Sequence, residues 1–214
     1  MKRQYWMLAT GVIYVALGVF CVWAYPALPD QVPSHWNIAG EVDAYSDPLT
    51  SSLFIPLFAV AVSSLMFIFA RFENNQNVAD ALITMSTVLA GFMGSLHVVT
   101  TAIALGYPVV LERTLSGMMG LLFIIIGRMM YHIPPNGFFG IRTYWTLANP
   151  VVWTESHQLA SRWMIGSGVV SIILALIPMS PVLLLSGMLT SLLVAVAVPM
   201  VFAYRRFHQL TDIE

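Results

Sequence analysis

Long apolar runs alternate with short polar breaks along this chain, and the runs are matched to a bilayer rather than to a soluble core. A hydrocarbon slab of about 30 Å takes roughly 20 helical residues. Six runs approach that length: about Met7–Tyr25, Ser52–Ala70, Ala81–Leu105, Leu115–Met130, Trp163–Pro178 and Val182–Tyr204. Pro178 and Pro181 separate the last two and mark a tight turn. The first run follows Met1-Lys2-Arg3 as a signal peptide would, but its length favours an uncleaved anchor. The pattern predicts an all-α membrane protein, a single polytopic domain over residues 1–214 with six transmembrane helices.

Two breaks are long, residues 26–51 and residues 129–162. Cytoplasmic loops collect lysine and arginine, so the basic residues orient the spans. With the N-terminus inside, Lys2, Arg3, Arg71, Arg128, Arg142, Arg162, Arg205 and Arg206 fall on the cytoplasmic side and only Arg113 falls outside. Both termini are then cytoplasmic, the 26–51 loop is extracytoplasmic, and the 129–162 loop is cytoplasmic. The outer loop holds Asp30, Glu41, Asp43 and Asp47 and no lysine or arginine.

Composition supports the membrane assignment and removes other classes. The chain is 58% hydrophobic and only 9% charged, with a mean hydropathy of +0.81; soluble domains carry about a quarter charged residues. A net charge of −1 with nine scattered basic residues makes no nucleic-acid footprint. Cys21 is the only cysteine and reads as a small buried hydrophobe.

The outer loop is proline-punctuated, at Pro26, Pro29, Pro33 and Pro48, which disfavours helix and predicts extended chain and turns, a short hairpin over the membrane face. His35, Trp36 and Asn37 form its most chemically active cluster, with Gly40 and Asp43 close by in sequence. A metal would have to combine His35 with Glu41, Asp43 or Asp47, one imidazole with scattered carboxylates, which is poor ligation for zinc. No metal or cofactor is expected. In the inner loop Pro134 and Pro135 stop the fourth span and the following Asn-Gly is turn chemistry. Residues 141–147 read as extended or partly helical. Asn149 followed by Pro150 is an N-cap with proline at the first helical position. The helix it starts places Trp153 and His157 four apart on one face, and either continues into the fifth span or bends at Gly166 or Gly168. Arg142 suits a carboxylate, Glu155 for instance, or a lipid phosphate. Trp145, Trp153 and Trp163 fit an interfacial belt. His97 is an ionisable group inside the third span, with Ser95, Thr100 and Thr101 near it.

The stretch NGFFGIRTYWTLANPVVWTESH resembles the signature N-x-x-x-G-x-R-T-x-W-T-L-x-N-x-x-V-W-x-x-x-H of the bacterial SdpI-type immunity proteins of the sporulation-delaying-protein system. Asn136, Gly140, Arg142, Thr143, Trp145, Thr146, Leu147, Asn149, Val152, Trp153 and His157 carry the match; Tyr144 stands where proline or a small residue is common. The outer loop resembles the DUF1648-like module of the same family, L-P-x-x-x-P-x-H-W-N-x-x-G-x-x-D, through Leu28, Pro29, Pro33, His35, Trp36, Asn37, Gly40 and Asp43. The resemblance implies a multi-pass protein of the bacterial cell (inner) membrane. It implies protection of the cell from a secreted membrane-active toxin peptide, and relay of toxin sensing to a cytoplasmic repressor. The outer loop would meet the ligand, and the inner signature would be the functional cytoplasmic element.

Two other classes compete. A transporter or exporter of a small amphipathic compound would give His97 a role, although no inverted repeat is evident. A membrane-embedded enzyme would use His157 as a base beside Glu155 or Arg142, but the sequence contains no H-E-x-x-H, P-loop or nucleophile-elbow motif.

Overall fold

The structure, a computed structural model, describes residues 3–211. Helix α1 (Arg3–Ala24) leads through a 3-10 turn (Tyr25–Ala27) into strands β1 (Val32–Trp36) and β2 (Val42–Ser46). Helices α2 (Pro48–Phe72), α3 (Gln76–Ala104), α4 (Leu111–Met130), the short α5 (Tyr144–Ala148), α6 (Pro150–Leu176) and α7 (Pro181–Thr211) follow. Among the described residues six helices, all but α5, are long and apolar enough to cross a membrane. The chain forms two compact units, one ending at Leu115 and taking in Ser180–Val182, the other made of Ser116–Met179 and the chain from Leu183 onward.

In the first unit, α3 packs on α1 and α2. Its buried positions, Ala79, Leu82, Ile83, Ser86, Ala90, Gly94, His97 and Thr101, recur every three, four or seven residues, the stripe of a helix with one enclosed face. Hydroxyls tie the helices where lipid offers no partner: Thr10 Oγ1 lies 2.7 Å from Thr87 Oγ1, and the Tyr14 hydroxyl donates to the Ala59 carbonyl at 2.8 Å. Arg3 pairs with Asp80; Lys2 lies outside the described residues. On α1, Leu8, Val12, Val15, Val19 and Val22 form an exposed apolar stripe, 59–77% accessible, as a lipid-facing surface requires.

The 26–51 loop contains an antiparallel hairpin, with Val32 opposite Ser46 and Trp36 opposite Val42 and an irregular register around His35. A two-stranded ribbon leaves outward-facing amide positions free, which is where Pro33 is tolerated. Asn37 builds the turn: its Oδ1 accepts from the amides of Ala39 (2.9 Å) and Glu41 (3.0 Å). Gly40 there takes φ +82°. Asp47 then caps α2 by accepting from the Thr50 amide at 2.9 Å. Hydrogen bonding from the Thr50 side chain and amide holds its carboxyl below the usual carboxylate range.

In the second unit, α4 and α6 cross on small residues. A Cβ on Gly168 would lie 2.5 Å from the Gly120 carbonyl oxygen, and one on Gly120 would lie 2.6 Å from that of Gly168. The Ser116 hydroxyl crosses the same seam to the Ser171 carbonyl at 2.9 Å. Ser167 and Ser191 join α6 to α7 at 3.0 Å.

The six helices match the six apolar runs, but several are longer than their runs. α6 begins at Pro150, thirteen residues before the apolar run at Trp163, so the last thirteen residues of the 129–162 loop are helix. It passes Gly166 and Gly168 without a break. Residues 141–147 resolve into an extended approach and the single turn of α5.

Candidate functional sites

The 129–162 signature segment folds around two stacked rings. Trp153 and His157 lie one turn apart on α6 with centroids 4.0 Å apart and planes 18° from parallel, and both are buried. Trp153 Nε1 donates to the Ile133 carbonyl at 2.8 Å, tying α6 to the chain just past α4. His157 is fixed at both nitrogens. The Ile141 amide, a donor only, is 3.0 Å from Nε2, and the Trp153 carbonyl, an acceptor only, is 2.8 Å from Nδ1. Those partners require the neutral ring with its proton on Nδ1. Neither nitrogen is left free for a metal or a substrate proton.

The other motif positions serve the same knot. Gly140 has φ +112°, and a Cβ on it would fall 2.3 Å from His157 Nε2, so close approach and backbone conformation both demand glycine. Asn136 folds the preceding turn, its Oδ1 accepting from the amides of Phe138 (2.8 Å) and Phe139 (3.0 Å). Thr143 caps α5: its amide donates to Thr146 Oγ1 at 3.0 Å, and that buried hydroxyl donates to the Ile141 carbonyl at 2.6 Å. Asn149 caps α6, accepting from Val151 (2.9 Å) and Val152 (3.3 Å). Trp145 meets Tyr204 of α7 edge-on at 5.4 Å, and its buried Nε1 has no protein partner.

Three residues of this region point to solvent or lipid. Arg142 is exposed, Tyr144 is 75% accessible, and Leu147 is half exposed. Glu155 pairs with Arg206 of α7 in a two-pronged bond (2.6 and 3.1 Å), not with Arg142. Of the three tryptophans read as a belt, Trp153 is wholly enclosed and Trp145 is packed on α7, leaving Trp163 exposed. The main-chain partners on which both rings depend, at Ile133 and Ile141, carry no signal that sequence reading could have found.

The hairpin site is polar at its tip and apolar beneath. His35 Nδ1 donates to Asp43 Oδ1 at 2.5 Å, a largely exposed pair across the hairpin. Asn37 Nδ2 donates to Glu41 Oε2 at 3.1 Å. Asp43, Glu41 and Asp47 thus hold three different partners, and no group of three or more metal-ligating side chains occurs among the described residues. Under the hairpin, Trp36 lines a cavity of about 230 Å³ with residues of α2 and α3. Further along α3, His97 is buried: its Nε2 lies 3.4 Å from Cys21 Sγ, which is also 3.5 Å from the Ser52 carbonyl. Phe20 meets the ring edge-on. Cys21 is therefore a polar bridge between helices, only partly buried, rather than an apolar filler.

A hairpin-bearing set of three spans and a second unit organised on a ring-stacked loop define a multi-pass membrane protein. Residues 132–204, which hold that loop, α5, α6 and most of α7, match the SdpI/YfhL protein family. Residues 12–60, from α1 through the hairpin into α2, match a domain of unknown function, DUF1648. The chain thus carries an SdpI/YfhL-type segment and a DUF1648 segment together, on a multi-pass membrane architecture. It is 25% identical over 186 residues to Immunity protein SdpI of Bacillus subtilis (strain 168), an alignment covering 87% of this chain and 88% of that protein. No solved structure matches it.

Proposed function

We propose that this protein protects a bacterial cell from a secreted membrane-active peptide, meeting the peptide at the outer hairpin. The observation that carries the reading is the similarity to an immunity protein over nearly the full length of both chains, through both modules. The bias of eight of nine basic residues to one side supports an orientation with the acidic hairpin outside and the signature loop inside. The signature loop is a rigid frame whose buried members hold one another, and its outward residues, Arg142, Tyr144 and Leu147, form the face a cytoplasmic regulator would meet. Relay to such a regulator requires the peptide to favour one of two conformations, because equal affinity for both shifts nothing.

The test is survival of a sensitive bacterium exposed to a panel of secreted membrane-active peptides, with and without the protein, at matched membrane levels. Expression is expected to protect. His35→Ala or Trp36→Ala is expected to abolish protection, whereas Arg142→Ala is expected to preserve protection and abolish any transcriptional response. Full protection by both hairpin variants overturns the outer contact.

A further inference from the structure

The cavity beneath the hairpin has a size, a wall and a rim that together specify an occupant. Its volume is about 230 Å³. An apolar cavity of about 150 Å³ already accepts benzene, whereas whole small-molecule ligands use about 300–1,000 Å³. The space is that of one bulky side chain. Its wall is mostly apolar, with Leu28, Val32 and Trp36 on the hairpin side, Phe54 on α2, and the hydroxyls of Thr50 and Thr100. None of the residues lining the cavity is charged, but the loop that forms its rim is acidic: Asp30, Glu41, Asp43 and Asp47 lie between Pro26 and Ser51, with no lysine or arginine among them.

We infer that this cavity is the anchor site for one aromatic or branched aliphatic side chain of a cationic amphipathic peptide, whose lysines or arginines meet the carboxylate rim. The inference rests on the outer-contact reading above and names the chemical class of its ligand. A lipid chain is the poorer occupant, because it brings a phosphate to the same carboxylates. Burial of the anchor supplies affinity, and the rim supplies sign selectivity and speed of encounter.

The test uses the full chain in phosphatidylcholine nanodiscs, with binding read against empty discs. The probes are a fluorescently labelled leucine–lysine amphipathic peptide with one central tryptophan, its alanine counterpart, and a leucine–glutamate peptide with the same tryptophan. The tryptophan peptide is expected to bind about tenfold or more tighter than the alanine peptide. Thr100→Leu, which fills the cavity from α3, is expected to erase that difference. Ser34→Phe fills it from the hairpin if Thr100→Leu does not fold. Asp30→Lys is expected to weaken both lysine peptides several-fold, an effect lost at high salt. Equal binding of the tryptophan and alanine peptides, a difference that survives in the filled variants, or glutamate and lysine peptides binding alike would each overturn the inference. Cells that stay protected with Thr100→Leu overturn the cavity and leave immunity standing. Tryptophan-dependent binding by a protein that protects no cell overturns immunity and leaves the cavity standing.

Discussion

Gly140→Ala isolates the interaction on which the signature loop depends. The added methyl would stand 2.3 Å from His157 Nε2, well inside contact distance, on a backbone at φ +112° that alanine disfavours. The strain alone costs on the order of 1–3 kcal/mol. To relieve the clash the ring must move and give up the 3.0 Å bond from the Ile141 amide, leaving buried groups unpaired at about 1–3 kcal/mol more. The sum, roughly 2–6 kcal/mol, is a large share of the ~5–15 kcal/mol that holds an ordinary domain. A thermal melt in detergent, followed by intrinsic tryptophan fluorescence, should show a midpoint lowered by roughly 5–15 °C, taking a few degrees per kcal/mol for a chain of this size. His157→Ala removes the ring the methyl strikes, so the double variant should lose much less than the sum of the two single losses. Strict additivity, or an unchanged midpoint for Gly140→Ala, would refute the ring's placement.

Other consequences can be checked separately. Gly168→Ala forces a methyl against the Gly120 carbonyl and should destabilise the second unit by about 1–3 kcal/mol, lowering its melting midpoint, while Gly166→Ala, with open space around it, should not. Trp153→Phe keeps most of the ring but strands the Ile133 carbonyl, and should cost about 1–3 kcal/mol by the same melt. Asp47 has its carboxyl pKa depressed by Thr50, so its contribution is complete above the unfolded value of about 3.9 and is lost as pH falls through the lower folded value. Hydrogen-exchange protection at the first turn of α2, taken relative to the intrinsic rate at each pH, should therefore fall at the acid end in wild type, and be low at every pH in Asp47→Ala. On a Cys21→Ala background, a cysteine at Ser34 should react with an impermeant maleimide on intact cells, and one at Tyr144 only after permeabilisation. The reverse pattern would invert the orientation.

The spans were legible because each is a block of apolar residues, and hydropathy needs no partner to be read. Hydropathy alone did not place their ends. α6 starts at Pro150, where Trp153, Ser156 and His157 satisfy their polar atoms inside the protein, and a hydropathy window counts those residues as polar regardless. The Asn149 cap was readable because its chemistry is local, an oxygen and the next two or three amides. The role of Gly140 was not, since it depends on a ring seventeen residues away. Arg142 and Glu155 looked like partners because charge was all the sequence offered; the fold gives Glu155 to Arg206, fifty-one residues on. In the hairpin, prolines announced extended chain, but the Asp43 partner of His35 required the strand register.

The unbroken course of α6 has a mechanical consequence. Its 27 residues make a rod about 40 Å long, some 10 Å more than a hydrocarbon slab of about 30 Å. With the Leu176 end at one face of the slab, the excess falls at the other end, where the Trp153–His157 stack sits on a stem with no break in its helix. Pivoted at its Leu176 end, a rod of that length turning by about 10° carries its Asn149 tip through roughly 7 Å. A small tilt among packed helices thus becomes a displacement of a side chain's length at Arg142 and Tyr144, with the helix as its lever.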